Sequence, residues 1–225
     1  MKKIISLIVS VVLLFGTTTV YADSLKSQEK TRKEITKQSK KDLEQKASKA
    51  ARKEAKKLKK NGWSVAPGAL PLEKQLDKSY LMQYEYDSDG YPRYIMAEGM
   101  SIGGNYDAAK MQALELAKQN LAGQIQTEIT ALIENIVANE QIEQGDAASI
   151  TRSVMASKNL VSQSIGRIVP VVETYRVVND NNREVLVRIA YDTDTAKAVA
   201  KKVVKENLKQ RGDDLHYKLD QLLGW

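Results

Sequence analysis

The 225-residue sequence predicts an α+β fold: an antiparallel sheet of three to four strands with helices packed on one face, preceded by a long basic N-terminal helix. Three observations carry that reading. Two β-branched runs, 168–178 and 185–191, flank Asn179-Asp180-Asn181-Asn182, which reads as a hairpin turn. Apolar residues between Leu114 and Ile136 recur in steps of three and four, the period of a helix. Residues 24–61 hold 15 Lys/Arg against 5 Asp/Glu and contain neither glycine nor proline.

The first 22 residues read as an export signal. Met1-Lys2-Lys3 is a positive start, and Ile4 to Phe15 is an apolar run of 12 residues, against the roughly 20 that span a bilayer as a helix. Val20 and Ala22 are the small residues of a cleavage site, so cutting before Asp23 is expected, with a periplasmic or secreted product and no transmembrane span. The chain has no cysteine, which excludes disulfides, thiolate metal sites and lipid attachment at the new N-terminus. Its single histidine leaves no basis for two- or three-histidine metal sites.

The expected segments are a signal peptide at 1–22, a basic helical arm at 23–61 and an α+β body at 62–225. Full-length charge is +7; without Lys2 and Lys3 it is +5, of which residues 24–61 carry +10 and the remainder −5. Lys, Glu, Gln, Ala and Arg dominate the arm and suit a helix. Its large aliphatics, Leu25, Ile35, Leu43 and Leu58, keep no heptad spacing, so the helix is expected to be solvated and to stand outside the body. Glu29 and Lys33 form an ion pair at i,i+4 spacing.

Gly62 ends the arm. Pro71 opens a short helix through LEKQLDKSY, and from Tyr80 the alternation of Tyr80, Met82, Tyr84 and Tyr86 predicts a strand, with a helix running through residue 84 as the competing assignment. Asp87-Ser88-Asp89-Gly90 is a turn and Tyr94–Ile102 the returning strand. Asn105 caps the long helix, with Asp107 in its first turn and Leu114, Ala117, Leu121, Ile125, Ile129, Leu132 and Ile136 as the buried stripe. Gly145 should stop it. Asp146 should cap a second helix buried through Ala147, Ile150, Val154, Val161 and Ile165, forming a hairpin with the first. Pro170 places its strand start at or after that residue, or on an edge. Thr193 or Asp194 caps a helix buried through Ala196, Val199, Val203 and Leu208; Gly212 ends it, and Asp213 starts a last helix with Leu215, Leu219 and Leu222.

No set of residues supports catalysis, and none supports a metal or a cofactor. Asp87-Ser88-Asp89-Gly90 begins like a calcium loop, but its glycine comes too early and its twelfth position, Glu98, falls in a strand. Gly99-x-x-x-Gly103-Gly104 matches neither the dinucleotide fingerprint nor the P-loop and reads as a tight turn. Asp192 and Asp194 read as caps, and His216 as a surface residue. Two surfaces remain. Lys53, Lys56, Lys57, Lys59 and Lys60 are candidate anion contacts; the arm lacks the aromatics that stack on bases, which disfavours nucleic acid. Six of the ten tyrosines lie between Tyr80 and Tyr106, and Tyr84, Tyr86 and Tyr94 are a candidate aromatic face for sugars. Ile133 and Val137, beside the long helix's main stripe, suit self-association into a homo-oligomer.

The segment AEGMSIGGNYDAAKMQALELAKQNLAGQI, with Gly99, Asp107, Ala109, Ala113, Ala117 and Leu121, resembles the core of the small LPP-type envelope lipoproteins of Gram-negative bacteria, a core shared with the N-terminal domain of flagellar assembly protein T. The likeness covers about Tyr94 to Tyr191. PLEKQLDKSY and LDQLLGW are similar to exported proteins of the Bacteroides group. The resemblance implies an α+β cell-envelope domain with no known catalytic residues. The chain departs from it in lacking the lipobox cysteine and in carrying the basic arm. The functional expectation is a non-catalytic exported interaction protein whose cationic arm docks an anionic envelope component or an acidic protein face; the alternative is a glycan-binding module using the tyrosine-rich hairpin.

Overall fold

The computed structural model describes residues 29–34, 36–37, 40–41, 44–138, 144–166, 168–179 and 181–210. The signal segment, Gly212, the expected last helix and His216 lie outside them. The chain divides into two units, Met1–Lys46 and Ala47–Trp225. In the first, the described residues up to Glu44 have helical backbone, and Lys33 Nζ lies 2.7 Å from Glu29 Oε1, the expected i,i+4 pair.

The second unit is α+β. Its elements are α1 (Lys49–Lys60), α2 (Leu72–Gln83), β1 (Tyr94–Gly103), α3 (Tyr106–Ala138), α4 (Gln144–Ala156), α5 (Lys158–Ser164), β2 (Pro170–Val178), β3 (Asn182–Asp192) and α6 (Thr193–Gln210). The three strands form one antiparallel sheet in the order β1-β3-β2. Pro170 starts β2, an edge strand, where its missing N–H is tolerated, and the register slips between Pro170 and Val172. Asn182 N–H donates to Asn179 O at 3.1 Å across the hairpin turn, and Asn181 takes a φ of 88°.

Strand alternation divides the sheet into two covered faces. Val185, Val187 and Ile189 of β3 join Ile95 and Ala97 of β1 in a core with α3, α4, α5 and α6. On the other face Val172 and Leu186 pack with Ala47, Ala51, Ala55, Leu72 and Leu76, so α1 and α2 form a second helical layer. The expectation of helices on a single face is corrected accordingly. The basic segment also divides at Lys46/Ala47 instead of at residue 61, because its small residues Ala47, Ala51 and Ala55 make a narrow apolar seam that needs no large aliphatic to be buried.

From Tyr80 the helical assignment is the observed one as far as Gln83, where α2 ends; Tyr84 is its cap and Tyr86 forms an isolated bridge to Pro92. Leu72, Gln75, Leu76 and Ser79 are buried at helical spacing, whereas the alternating Tyr84 and Tyr86 are exposed, so the helical seam and not the period-two pattern reports burial. Asn105 Oδ1 accepts from Ala108 N–H at 2.9 Å, the expected cap of α3. The buried stripe of α3 is Ala109, Ala113, Ala117, Leu121, Ile125, Ile129 and Ile133. Ile133 thus belongs to the core and offers no association surface; the side chains of Leu132, Ile136 and Val137 lie outside the described set. Gly145 sits in the first turn of α4 and does not terminate α3, which the structure carries to Ala138. Ala147, Ile150, Val154, Val161 and Ile165 are buried as expected, but the helix divides at Ser157, whose Oγ–H donates to Ser153 O at 2.6 Å. In α6 the stripe is Ala196, Ala200, Val204 and Leu208, with Val199 and Val203 half-buried at its side, and the cap is Asp192, whose Oδ1 accepts from both N–H and Oγ1–H of Thr195.

Gly99 and Gly103 face α3 from within β1. A Cβ on Gly99 would lie 2.0 Å from Ala113 O and 2.5 Å from Ala117 N; one on Gly103 would lie 3.0 Å from Ala109 N. Gly104 has nothing within 4 Å. Backbone cannot yield as a flexible side chain does, so Gly99→Ala is expected to destabilise by at least ~1–3 kcal/mol, the usual range for overpacking, while Gly104→Ala stays near wild type in chemical denaturation. The second layer makes a separate prediction. A chain beginning at residue 62 uncovers Leu72, Leu76 and Val172 and should melt well below one beginning at residue 47, by differential scanning calorimetry.

Candidate functional site

The lysine-rich helix α1 is fixed at both ends. Ser48 Oγ accepts from Ala51 N–H at 3.2 Å, and Ser48 N–H donates to Asp77 Oδ1 of α2 at 3.0 Å. At the other end Gly62, with φ 85°, donates to Lys59 O at 3.1 Å and Trp63 N–H to Leu58 O at 3.1 Å, the two bonds of a Schellman motif. Lys57, Lys59 and Lys60 occupy the last turn, where the helix dipole favours positive charge.

With Ala51, Ala55 and the half-buried Leu58 turned inward, the 3.6-residue period sets Lys49, Lys53, Lys56, Lys57 and Lys60 on the opposite side. All five are exposed, and among the described residues none forms an ion pair. Four of the five expected anion contacts therefore share one face. Lys59 does not: its Nζ lies 2.9 Å from Glu73 Oε2 of α2, and that hydrogen bond is the main cause holding the Glu73 carboxyl below its ordinary value. Lys49 belongs to the face and was missed; its i,i+4 relation to Lys53 was the available signal. Beside the face lies a shallow hollow of about 240 Å³ lined by Arg52, Ala55, Lys56, Lys59 and Glu73.

The tyrosines do not form one sheet face. Tyr84 caps α2, Tyr86 bridges to Pro92 in a small loop, and Tyr94 opens β1, half-buried with the Arg93 guanidinium 5.6 Å from its ring centroid. The loop is tightly tied. Asp87 Oδ1 accepts from Asp89 N–H at 2.9 Å and Tyr91 N–H at 2.8 Å; Arg93 N–H donates to Glu85 O at 2.9 Å. Thr193 N–H donates to Arg93 O at 2.9 Å and its Oγ1–H to Pro92 O at 2.9 Å, fastening the loop to the start of α6. Between them is a cleft of about 380 Å³ lined by Tyr86, Asp87, Ser88, Arg93 and Asp192 to Asp194. Asp192 and Asp194 reach it from about 100 residues further along the chain, which tyrosine density alone could not reveal.

The remaining charged clusters bind elements together. Tyr106 O–H donates to Glu173, which also pairs with Lys110 Nζ at 2.8 Å; burial first, and that hydrogen bond second, push the Tyr106 phenol up. Arg188 of β3 joins Glu98 and Ser79, and Arg176 pairs with Glu184 while lying 4.8 Å from the Trp63 ring centroid. Among the described residues no cluster of three or more His, Asp or Glu is placed to hold a metal ion, and no helix is long and apolar enough to cross a membrane. Compared with protein-family models, curated proteins and solved structures, the chain matches none.

One contact between α1 and α2 titrates. Tyr80 O–H donates to Glu54, and burial, followed by that bond, raises its pKa to about 12 from 10.0. A raised folded-state pKa means that the folded chain keeps a proton the unfolded chain releases. The stabilisation is whole below pH ~10 and disappears as pH rises through ~12. The stability difference between wild type and Tyr80→Phe should therefore shrink across that window, as read by urea denaturation at stepped pH.

Proposed function

We propose that this is a non-catalytic exported protein of the Gram-negative cell envelope that docks an anionic surface through the lysine face of α1. The observation that carries the reading is the arrangement of Lys49, Lys53, Lys56, Lys57 and Lys60. They share one side of a helix whose other side is packed into the body and whose two ends are capped. Eleven residue steps run from the first lysine to the last, about 16 Å at 1.5 Å per residue. Such a row presents several cations at once to a plane of phosphates, and attraction of this kind contributes roughly 1 kcal/mol per lysine near an anionic bilayer. The outward face holds no aromatic or large aliphatic residue, so contact is at headgroup level and electrostatic, without insertion. An export signal at 1–22 and the resemblance of Tyr94–Tyr191 to LPP-type envelope lipoproteins support the location, periplasmic or secreted. With no cysteine for a lipid anchor, charge supplies the tether.

Cosedimentation with vesicles tests this. Wild type should bind vesicles of phosphatidylglycerol and phosphatidylethanolamine but not phosphatidylcholine vesicles, with affinity falling steeply between 50 and 300 mM NaCl. Lys53→Glu/Lys57→Glu/Lys60→Glu should lower binding at least tenfold while leaving the far-ultraviolet circular dichroism close to wild type and lowering the melting temperature only modestly, because none of the three side chains touches the core and the cost is confined to Lys57 and Lys60 in the last turn. Salt-independent binding, or equal binding by the triple variant, would reject the reading.

A further inference from the structure

We propose that the cleft between the 84–94 loop and the start of α6 is a carbohydrate site, taking an uncharged pyranose unit of a glycan with Tyr86 as its stacking platform. This goes beyond the lysine face and does not depend on it.

A pyranose presents two different surfaces, an axial C–H face and a rim of hydroxyl pairs. The cleft offers a counterpart to each. Tyr86 is 56% exposed, yet its backbone is held by the bridge to Pro92 and by the bonds on either side of the loop. An aromatic ring held open to solvent on an ordered backbone needs little further ordering when it binds. The rim partners are the Ser88 hydroxyl, the Arg93 guanidinium and the carboxylates of Asp87, Asp192 and Asp194. Asp87 and Asp192 each engage Oδ1 in backbone bonds that fix the carboxyl group, leaving Oδ2 of each to accept from a ligand hydroxyl.

Charge narrows the ligand. Three carboxylates line the cleft against one guanidinium, and that guanidinium already donates to Glu85 Oε1 at 2.6 Å. Phosphate and uronate groups are therefore repelled, and the anionic partner of the lysine face is not the ligand here. Size agrees, since about 380 Å³ falls at the lower end of the roughly 300–1,000 Å³ of small-molecule sites. The expected aromatic sugar face of Tyr84, Tyr86 and Tyr94 thus narrows to Tyr86: Tyr94 is half-buried, and Tyr84 lies outside the cleft lining.

Isothermal titration of the full chain with β-1,4-linked tetramers of N-acetylglucosamine and of glucose tests the proposal. Binding of at least one tetramer is expected, reduced tenfold or more in Tyr86→Ala and in Asp194→Asn and largely kept in Tyr86→Phe. The same affinity is expected in Lys53→Glu/Lys57→Glu/Lys60→Glu, which separates this outcome from that of the vesicle experiment. Tyr86 and Asp194 are exposed, so unchanged melting temperatures should accompany the loss. Absence of binding by both tetramers at millimolar concentration, or undiminished binding by Tyr86→Ala, would overturn the proposal.

Discussion

The backbone of α3 lies almost against the backbone of β1, and only glycine at position 99 makes that approach available. Ala109, Ala113 and Ala117 give α3 a side with nothing larger than a methyl group, and Gly99 and Gly103 give β1 a side with nothing at all where it meets them. Close contact at this end draws the next turns of the helix, Leu121, Ile125 and Ile129, into one core with Val185, Val187 and Ile189. It also brings polar side chains of α3 around the edge of the sheet. Asn120 Nδ2 donates to Glu98 O at 2.7 Å and Gln124 Nε2 to Met96 O at 3.0 Å, occupying carbonyls of an edge strand that would otherwise invite another strand.

The far edge is closed by a different device. After α1 the chain crosses to β2, where Ser64 and Tyr175 exchange N–H···O bonds of 2.7 and 2.8 Å and Thr174 Oγ1–H donates to Ser64 O. This bridge also fixes where α1 ends, and so where its apolar seam meets Val172. Without disulfides, two packed faces and two blunted edges are what this unit has to hold it together.

Much of this was legible in the residues. The hairpin at 179–182, the Asn105 cap and the three-and-four spacing along α3 all act through local geometry, and local geometry is what a sequence displays. The α1 seam was not, because alanines at 47, 51 and 55 look identical in composition to the alanines of a solvated helix. Whether such a seam is buried depends on Leu72, Leu76 and Val172, which arrive from elsewhere in the chain. Tyr80–Tyr86 failed for a related reason: exposed tyrosines beyond a helix end mimicked strand alternation, and the buried Gln75 and Ser79 hid the helical seam behind polar names. Gln75 is buried because its Nε2–H donates to Leu70 O at 2.7 Å and its Oε1 accepts from Glu173 N–H at 2.7 Å, partners outside its own helix. Of the lysine face the sequence showed the charges, and the fold supplied the direction in which they point.

That direction has an energetic side. On α1, Lys49 and Lys53, Lys53 and Lys57, and Lys56 and Lys60 are like charges four residues apart, each pair destabilising an isolated helix by roughly 0.2–0.5 kcal/mol. The helix persists because its stabilisation lies elsewhere, in the caps at Ser48 and Gly62 and in the buried alanines, none of which involves an outward lysine. Lys49, Lys53 and Lys56 lie before the last turn and form no ion pair among the described residues, so their charges are free to act on something outside. A partner that neutralises the row removes that repulsion, and where it binds the packed helix more tightly than the loosened one, linkage makes it stabilise α1 by the same factor by which loosening α1 weakens binding.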